Sequence, residues 1–94
     1  MKDKDEDLLK SLGTRGTKRI LEFLCEHRAA QYHQMIAIMN TYSLNRRLYE
    51  LIELGLIEHH FEKGRRRKEW YELTEKGTLI LQRLRNVVRI VRES

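Results

Sequence analysis

Asn40–Gly77, NTYSLNRRLYELIELGLIEHHFEKGRRRKEWYELTEKG, carries the most structural information in the 94-residue chain. Asn40-Thr41-Tyr42-Ser43 has the composition of a turn, and Ser43 is placed to cap a helix through its hydroxyl. Leu44, Leu48 and Leu51 recur at helical spacing, and Gly55 ends the helix as a residue tolerant of left-handed backbone. Leu56–Glu62 and Arg67–Leu73 then alternate as two strands. Lys63-Gly64-Arg65-Arg66 forms the tip between them, where Gly64 suits a positive φ. Thr74 caps a final helix over 75–93.

Upstream, Leu8, Leu9 and Leu12 give a short apolar stripe that stops at Gly13, whereas the polar run 2–7 should fray. Thr14 or Thr17 can cap the next helix, which carries Ile20, Leu21, Leu24 and Cys25 on its apolar side and ends near His27. Cys25 there should be a small buried hydrophobe. A further helix fits 30–39, with Tyr32, Met35, Ile36 and Met39 on one stripe. The order is helix, helix, helix, strand, strand, helix. Three short helices cannot close a core alone, so the hairpin must pack across them. The pattern gives an α+β, mainly α class: a winged helix-turn-helix with a three-helix core, a two-stranded wing and a long C-terminal helix. The expected division is a tail and short helix over 1–13, the winged helix body over 14–74, and a dimerisation helix over 75–94.

Composition narrows the function. The net charge is +5, and 35% of residues are charged. The excess is concentrated in Arg65-Arg66-Arg67-Lys68, a patch suited to a polyanion. One cysteine excludes an intrachain disulfide framework and suggests a reducing, cytoplasmic setting. No apolar run approaches the roughly 18 residues of a membrane span. No Gly-rich phosphate loop, activated nucleophile or carboxylate pair is present, so no enzyme is expected. His27, His33, His59 and His60 have no ligand spacing, so neither a metal nor a cofactor is expected. Trp70 should cover the core rather than stack on a base.

Two stretches then look familiar. Arg47–Ile57 resembles the L-x-x-L-x-x-x-G-L-I signature of winged helix transcription regulators such as the MarR, ArsR, PadR and HxlR-like groups and small archaeal and archaeal-virus proteins. Tyr71–Gly77 resembles the Y-x-L-T-x-K-G that ends the wing in those groups. The resemblance implies a transcription regulator bound to double-stranded DNA. It also permits a winged helix used as a protein–protein interaction module, and a non-specific architectural DNA-binding protein is a third option. The chain lacks the cysteine pair of metal-sensing relatives, and an effector ligand is left open.

The helical wheel assigns the chemistry. Opposite the leucine stripe lie Arg46, Tyr49 and Glu53, flanked by Asn45 and Glu50. Asn45, Arg46 and Tyr49 are the candidates for base contact, since Arg matches guanine and Asn matches adenine bidentately. Ser43, Arg47, Lys63, Arg65, Arg66, Arg67 and Lys68 are the candidates for phosphate contact. Arg46 and Arg47, read as first-turn cations, oppose the helix dipole at roughly 0.3–1 kcal/mol each, a penalty that a bound anion reverses. The plainer alternative pairs them with Glu50 or Glu53. The last helix is apolar on more than one face. Leu8, Leu9, Leu12, Leu81, Leu84, Val87, Val88 and Val91 are therefore the candidates for a homodimer interface.

Overall fold

The computed structural model describes residues 4–66 and 68–93. Five helices and three strands follow the order α1 (Lys4–Gly13), α2 (Thr17–His27), β1 (Ala29–Ala30), α3 (Tyr32–Met35), α4 (Thr41–Glu53), β2 (Ile57–Glu62), β3 (Lys68–Leu73) and α5 (Glu75–Glu93). The sheet is antiparallel in the spatial order β1-β3-β2.

Several local expectations change. From Lys4 onward the acidic N-terminal run is helical rather than frayed. Asp5, Glu6 and Asp7 occupy the first turn of α1, where carboxylates complement the dipole. Neither Thr14 nor Thr17 caps α2. Their hydroxyls donate back to Lys10 O at 2.5 Å and Ser11 O at 2.8 Å, satisfying carbonyls that the last turn of α1 leaves open. Gly16, at φ 102°, takes the cap position of α2 without a side-chain hydrogen bond.

The expected helix over 30–39 shrinks to four residues. Ala29 and Ala30 are captured as a strand, pairing with Glu72 and Tyr71 of β3. Two alanines carry no strand signature, so only the neighbouring strand makes them one. Met35 is buried as expected, but Ile36 is exposed because the chain leaves the helix there. Cys25 is also exposed, since α2 turns Thr17, Ile20, Leu21 and Leu24 inward instead.

Helix α4 starts at Thr41, two residues before the expected cap. Asn40 is the N-cap, its Oδ1 accepting from the Ser43 N–H at 2.8 Å. Leu44, Leu48 and Leu51 are all buried, and Gly55, at φ 76°, ends the helix region as expected. The hairpin register runs from Ile57 opposite Leu73 to Glu62 opposite Lys68. Gly64 does not adopt the positive φ expected at the tip.

The two signature stretches meet in space. The Thr74 hydroxyl donates to Gly55 O at 2.7 Å, and the Lys76 ammonium donates to Leu54 O at 3.0 Å. Both carbonyls lie at the C-terminal end of α4, where acceptors are unpaired and a cation is favoured. The Thr74 Oγ in turn accepts from the Gly77 N–H at 2.9 Å and caps α5. A Cβ at Gly77 would fall 1.9 Å from Leu56 O, so only glycine lets α5 cross that backbone. The spacing of the two motifs thus records one junction that locks α4, the hairpin and α5.

The core joins Ile20, Leu21, Leu24, Ala30, Met35, Leu44, Leu48, Leu51, Leu56, Ile57 and Leu81. Leu81 therefore packs inside its own chain and is not available to a partner subunit. Leu12 and Leu84 are half-buried against the same cluster. Among the described residues no helix is long and apolar enough to cross a membrane.

Candidate nucleic-acid interface

Because three leucines anchor one side of α4, its opposite side faces outward. Asn45, Arg46 and Tyr49 are exposed and, with Tyr42 and Glu50, line a shallow groove of about 510 Å³ along the helix. This brings together the three residues expected to read bases. Tyr42 joins them as a fourth exposed side chain; read as a turn residue, it carried no helical signal in the sequence.

The helix-dipole argument does not survive. With the cap at Asn40, Arg46 and Arg47 sit in the second turn, beyond the steepest part of the dipole field. Instead they share one carboxylate. Arg47 Nη1 lies 2.7 Å from Glu50 Oε2, and Arg46 Nε lies 3.6 Å from Glu50 Oε1. The plainer pairing alternative is therefore realised through Glu50. The triad keeps one net positive charge, and Glu50 fixes the direction in which both guanidiniums project. Arg47 is the more enclosed, its side chain 18% exposed against 61% for Arg46.

The wing carries both signs of charge on its strands and cations at its turn. Near its base, His59 Nε2 lies 2.6 Å from Glu69, and the His59 ring stacks on Tyr71 with centroids 4.7 Å apart. Burial, reinforced by neighbouring Glu69 and Tyr32, pushes the Tyr71 phenol above its ordinary range. On the other face of the hairpin, His60 stacks on Trp70, whose Nε1 donates to Glu72 at 2.8 Å. Trp70 thus stands outside the core it was expected to cover; β-strand alternation sends Tyr71 and Leu73 inward instead. Glu62 stands opposite Lys68 where the strands end, and beyond that pair the described turn residues Lys63, Arg65 and Arg66 are all cationic. Lys63, Arg65, Arg66 and Lys68 are exposed and have no ion-pair partner among the described residues. Arg67 lies outside the described residues.

The sequence offered no reason to single out Arg15 and Arg19. Both line a cleft of about 400 Å³ together with Asn40, Ser43 and Arg47. Nothing in the linear pattern places the start of α2 beside the start of α4. No group of three or more His, Cys, Asp or Glu side chains among the described residues is arranged to hold a metal.

A separate surface lies at the chain ends. Leu8 and Leu9 of α1 are exposed, as are Leu79, Val87, Val88, Ile90 and Val91 of α5. Glu22 of α2 receives Arg85 of α5 at 2.9 and 2.5 Å and Lys18 at 3.0 Å. Arg85, then Lys18, hold the Glu22 carboxyl down at about 2 against the opposing effect of burial. Arg85 is held correspondingly above its ordinary range by the same bond.

Solved structures share this architecture. The reduced form of the transcriptional regulator YodB from B. subtilis superposes with a TM-score of 0.79 at 25% identity, covering 95% of this chain and 89% of that one. A transcriptional regulator homologue protein from Pyrococcus horikoshii OT3 gives a TM-score of 0.80 at 21% identity, covering 94% of this chain and 92% of that one. No family model matches the sequence, and no curated protein matches it. The fold is that of the winged helix regulators, with β1 added to the expected wing.

Proposed function

We propose that this protein is a DNA-binding transcription regulator that works as a homodimer and reads duplex sequence through α4. The observation that carries the proposal is an exposed polar helix face (Asn45, Arg46, Tyr49) in the same small domain as a hairpin turn that exposes Lys63, Arg65 and Arg66. Helix α4 enters the major groove, and its side chains reach base edges. Ser43, Arg47, Lys63, Arg65, Arg66, Arg67 and Lys68 take phosphates and set the register. Two solved neighbours described as transcriptional regulators support this role. Residues 14–74 form the binding body, and 75–94 together with the short helix within 1–13 join two copies.

The dimer seam is drawn from the exposed Leu8 and Leu9 together with Val87, Val88 and Val91, with Leu12 and Leu84 at its inner margin. Charge supports the match: α1 begins with Asp5, Glu6 and Asp7, whereas α5 carries Arg83, Arg89 and Arg92 besides the Arg85 held by Glu22. An acidic helix of one copy laid along the basic helix of another gains both apolar burial and Coulomb attraction. Two such copies present α4 to half-sites about one DNA turn apart.

The decisive experiment titrates the protein onto fluorescent genomic duplexes and then adds random-sequence competitor at fixed salt. Binding that survives excess competitor, on sequences with a two-fold repeat, is the expected result. Binding erased by competitor would favour an architectural role, and no binding at low salt would favour a protein-interaction module. In the same assay, Arg65→Ala with Arg66→Ala should flatten the log–log salt dependence by roughly 0.9 per lost phosphate contact. An unchanged slope removes the wing tip from the interface.

A further inference from the structure

We infer that the cleft between the heads of α2 and α4 is a second phosphodiester-binding cradle, in which Arg15, Arg19 and Arg47 grip the DNA backbone. This rests on the DNA-binding reading and adds to it Arg15 and Arg19, which are remote in sequence from both α4 and the wing but line one cleft with Arg47.

The cleft encloses about 400 Å³, and no acidic side chain lines it. Arg15 comes from the turn after α1, Arg19 from the first turn of α2, and Arg47 from α4. Arg15 and Arg19 are exposed and have no ion-pair partner among the described residues. Arg47 is held by Glu50 at 2.7 Å through Nη1, which orients the guanidinium and leaves further N–H donors for a ligand. Glu50 offsets part of the Arg47 charge, so the positive potential of the concavity comes chiefly from Arg15 and Arg19, and an anion seated there relieves their repulsion. Arginine forks match phosphate oxygens in pairs. The Ser43 hydroxyl and the Asn40 side chain border the same space. Gly16 brings the start of α2 close to the Met39 side chain, where a Cβ would meet Met39 Cε at 3.0 Å, so the cleft depends on that tight approach.

The alternative basic groove, between α2 and the end of α5, is a poorer site for an anion. It is lined by Lys18, Arg85, Arg89 and Arg92 but also by Glu93, and Glu22 already engages two of its cations. The cradle also fits the geometry of a groove. It lies at the N-terminal end of α4, whereas the wing springs from the C-terminal end beyond Gly55. A helix seated in a major groove about 12 Å wide has a phosphate backbone on each side, so cradle and wing take opposite flanks. The ligand is thus a phosphodiester of duplex DNA rather than a free phosphate ion.

The test measures binding to a labelled mixed-sequence duplex across a salt series, for wild type, Arg15→Gln/Arg19→Gln, Arg15→Gln alone and Arg15→Lys/Arg19→Lys. The expected loss is about two units of log–log slope for the double Gln variant and about one for the single, at roughly 0.9 per contact. The Lys variant should keep the wild-type slope. Thermal melts establish that each variant folds, and the single exposed substitution keeps the test decisive if the double one does not. Wild-type binding with unchanged slopes in the Gln variants overturns the cradle alone. Inorganic phosphate that displaces the duplex from wild type but not from Arg15→Gln, at constant ionic strength, supports the site; equal displacement from both overturns it. A wild type that holds no duplex at low salt overturns both the cradle and the DNA-binding reading.

Discussion

Helices α4 and α5 have the same kind of apolar periodicity and opposite fates. In α4 every residue of the leucine stripe is buried, and the polar face is fully displayed. In α5, 19 residues long and so roughly 28 Å, only Gly77 and Leu81 are buried. Past Leu84 its valines and isoleucine face outward. The difference is one of supply rather than pattern. The domain has one core, and α2, the hairpin and the first turns of α5 already fill its free side. An apolar stripe that extends beyond the core leaves an exposed patch of the kind that marks interaction surfaces.

The largest expected effect tests the filled half of the comparison. Leu51→Ala should cost about 2–5 kcal/mol in denaturant unfolding, because the cavity has little room to collapse. Ile90→Ala, on the exposed side of α5, should stay within about 0.5 kcal/mol under dilute, monomeric conditions. Similar costs at both sites would erase the distinction between them.

The intermediate effect concerns the open half. Val87→Asp with Val91→Asp should leave the circular dichroism of the domain intact. It should shift sedimentation at micromolar concentration from a two-copy species to the 11.4 kDa chain. A wild type that already sediments as a single chain would show that no second copy covers α5.

The smallest effect lies in the bridge that joins the body to that helix. The Glu22 carboxyl is depressed to about 2, first by Arg85. A group whose folded pKa is depressed stabilises the fold above its unfolded value and loses that contribution as pH falls through the folded one. Stability should therefore decline between about pH 4.5 and 2. After screening at this part-exposed site, the contribution is about 1 kcal/mol. Glu22→Gln should flatten that part of the pH–stability curve; an unaltered curve would mean that α5 is held by packing alone.

Sequence determined the parts whose cause is local. Leucine spacing gave α4, strand alternation gave the wing, Thr74 gave the start of α5, and the run Lys63–Lys68 gave the charged tip. The two signatures were legible because each encodes one junction, where Gly77 and Gly55 permit backbone placements that a side chain forbids or strains. Tertiary structure decided what depends on neighbours from elsewhere in the chain. Ala29 and Ala30 are a strand only because β3 offers them hydrogen bonds. Trp70 faces outward because pairing with β2 fixed which side of β3 meets the core. Asn40 displaced Ser43 as the cap because each of several polar residues in a row can open a helix by accepting an N–H two or three residues on, and packing selects which start is used. Arg15 and Arg19 join Arg47 only because the core brings the heads of α2 and α4 together, a proximity that no periodicity of 3.6 or 2 can express.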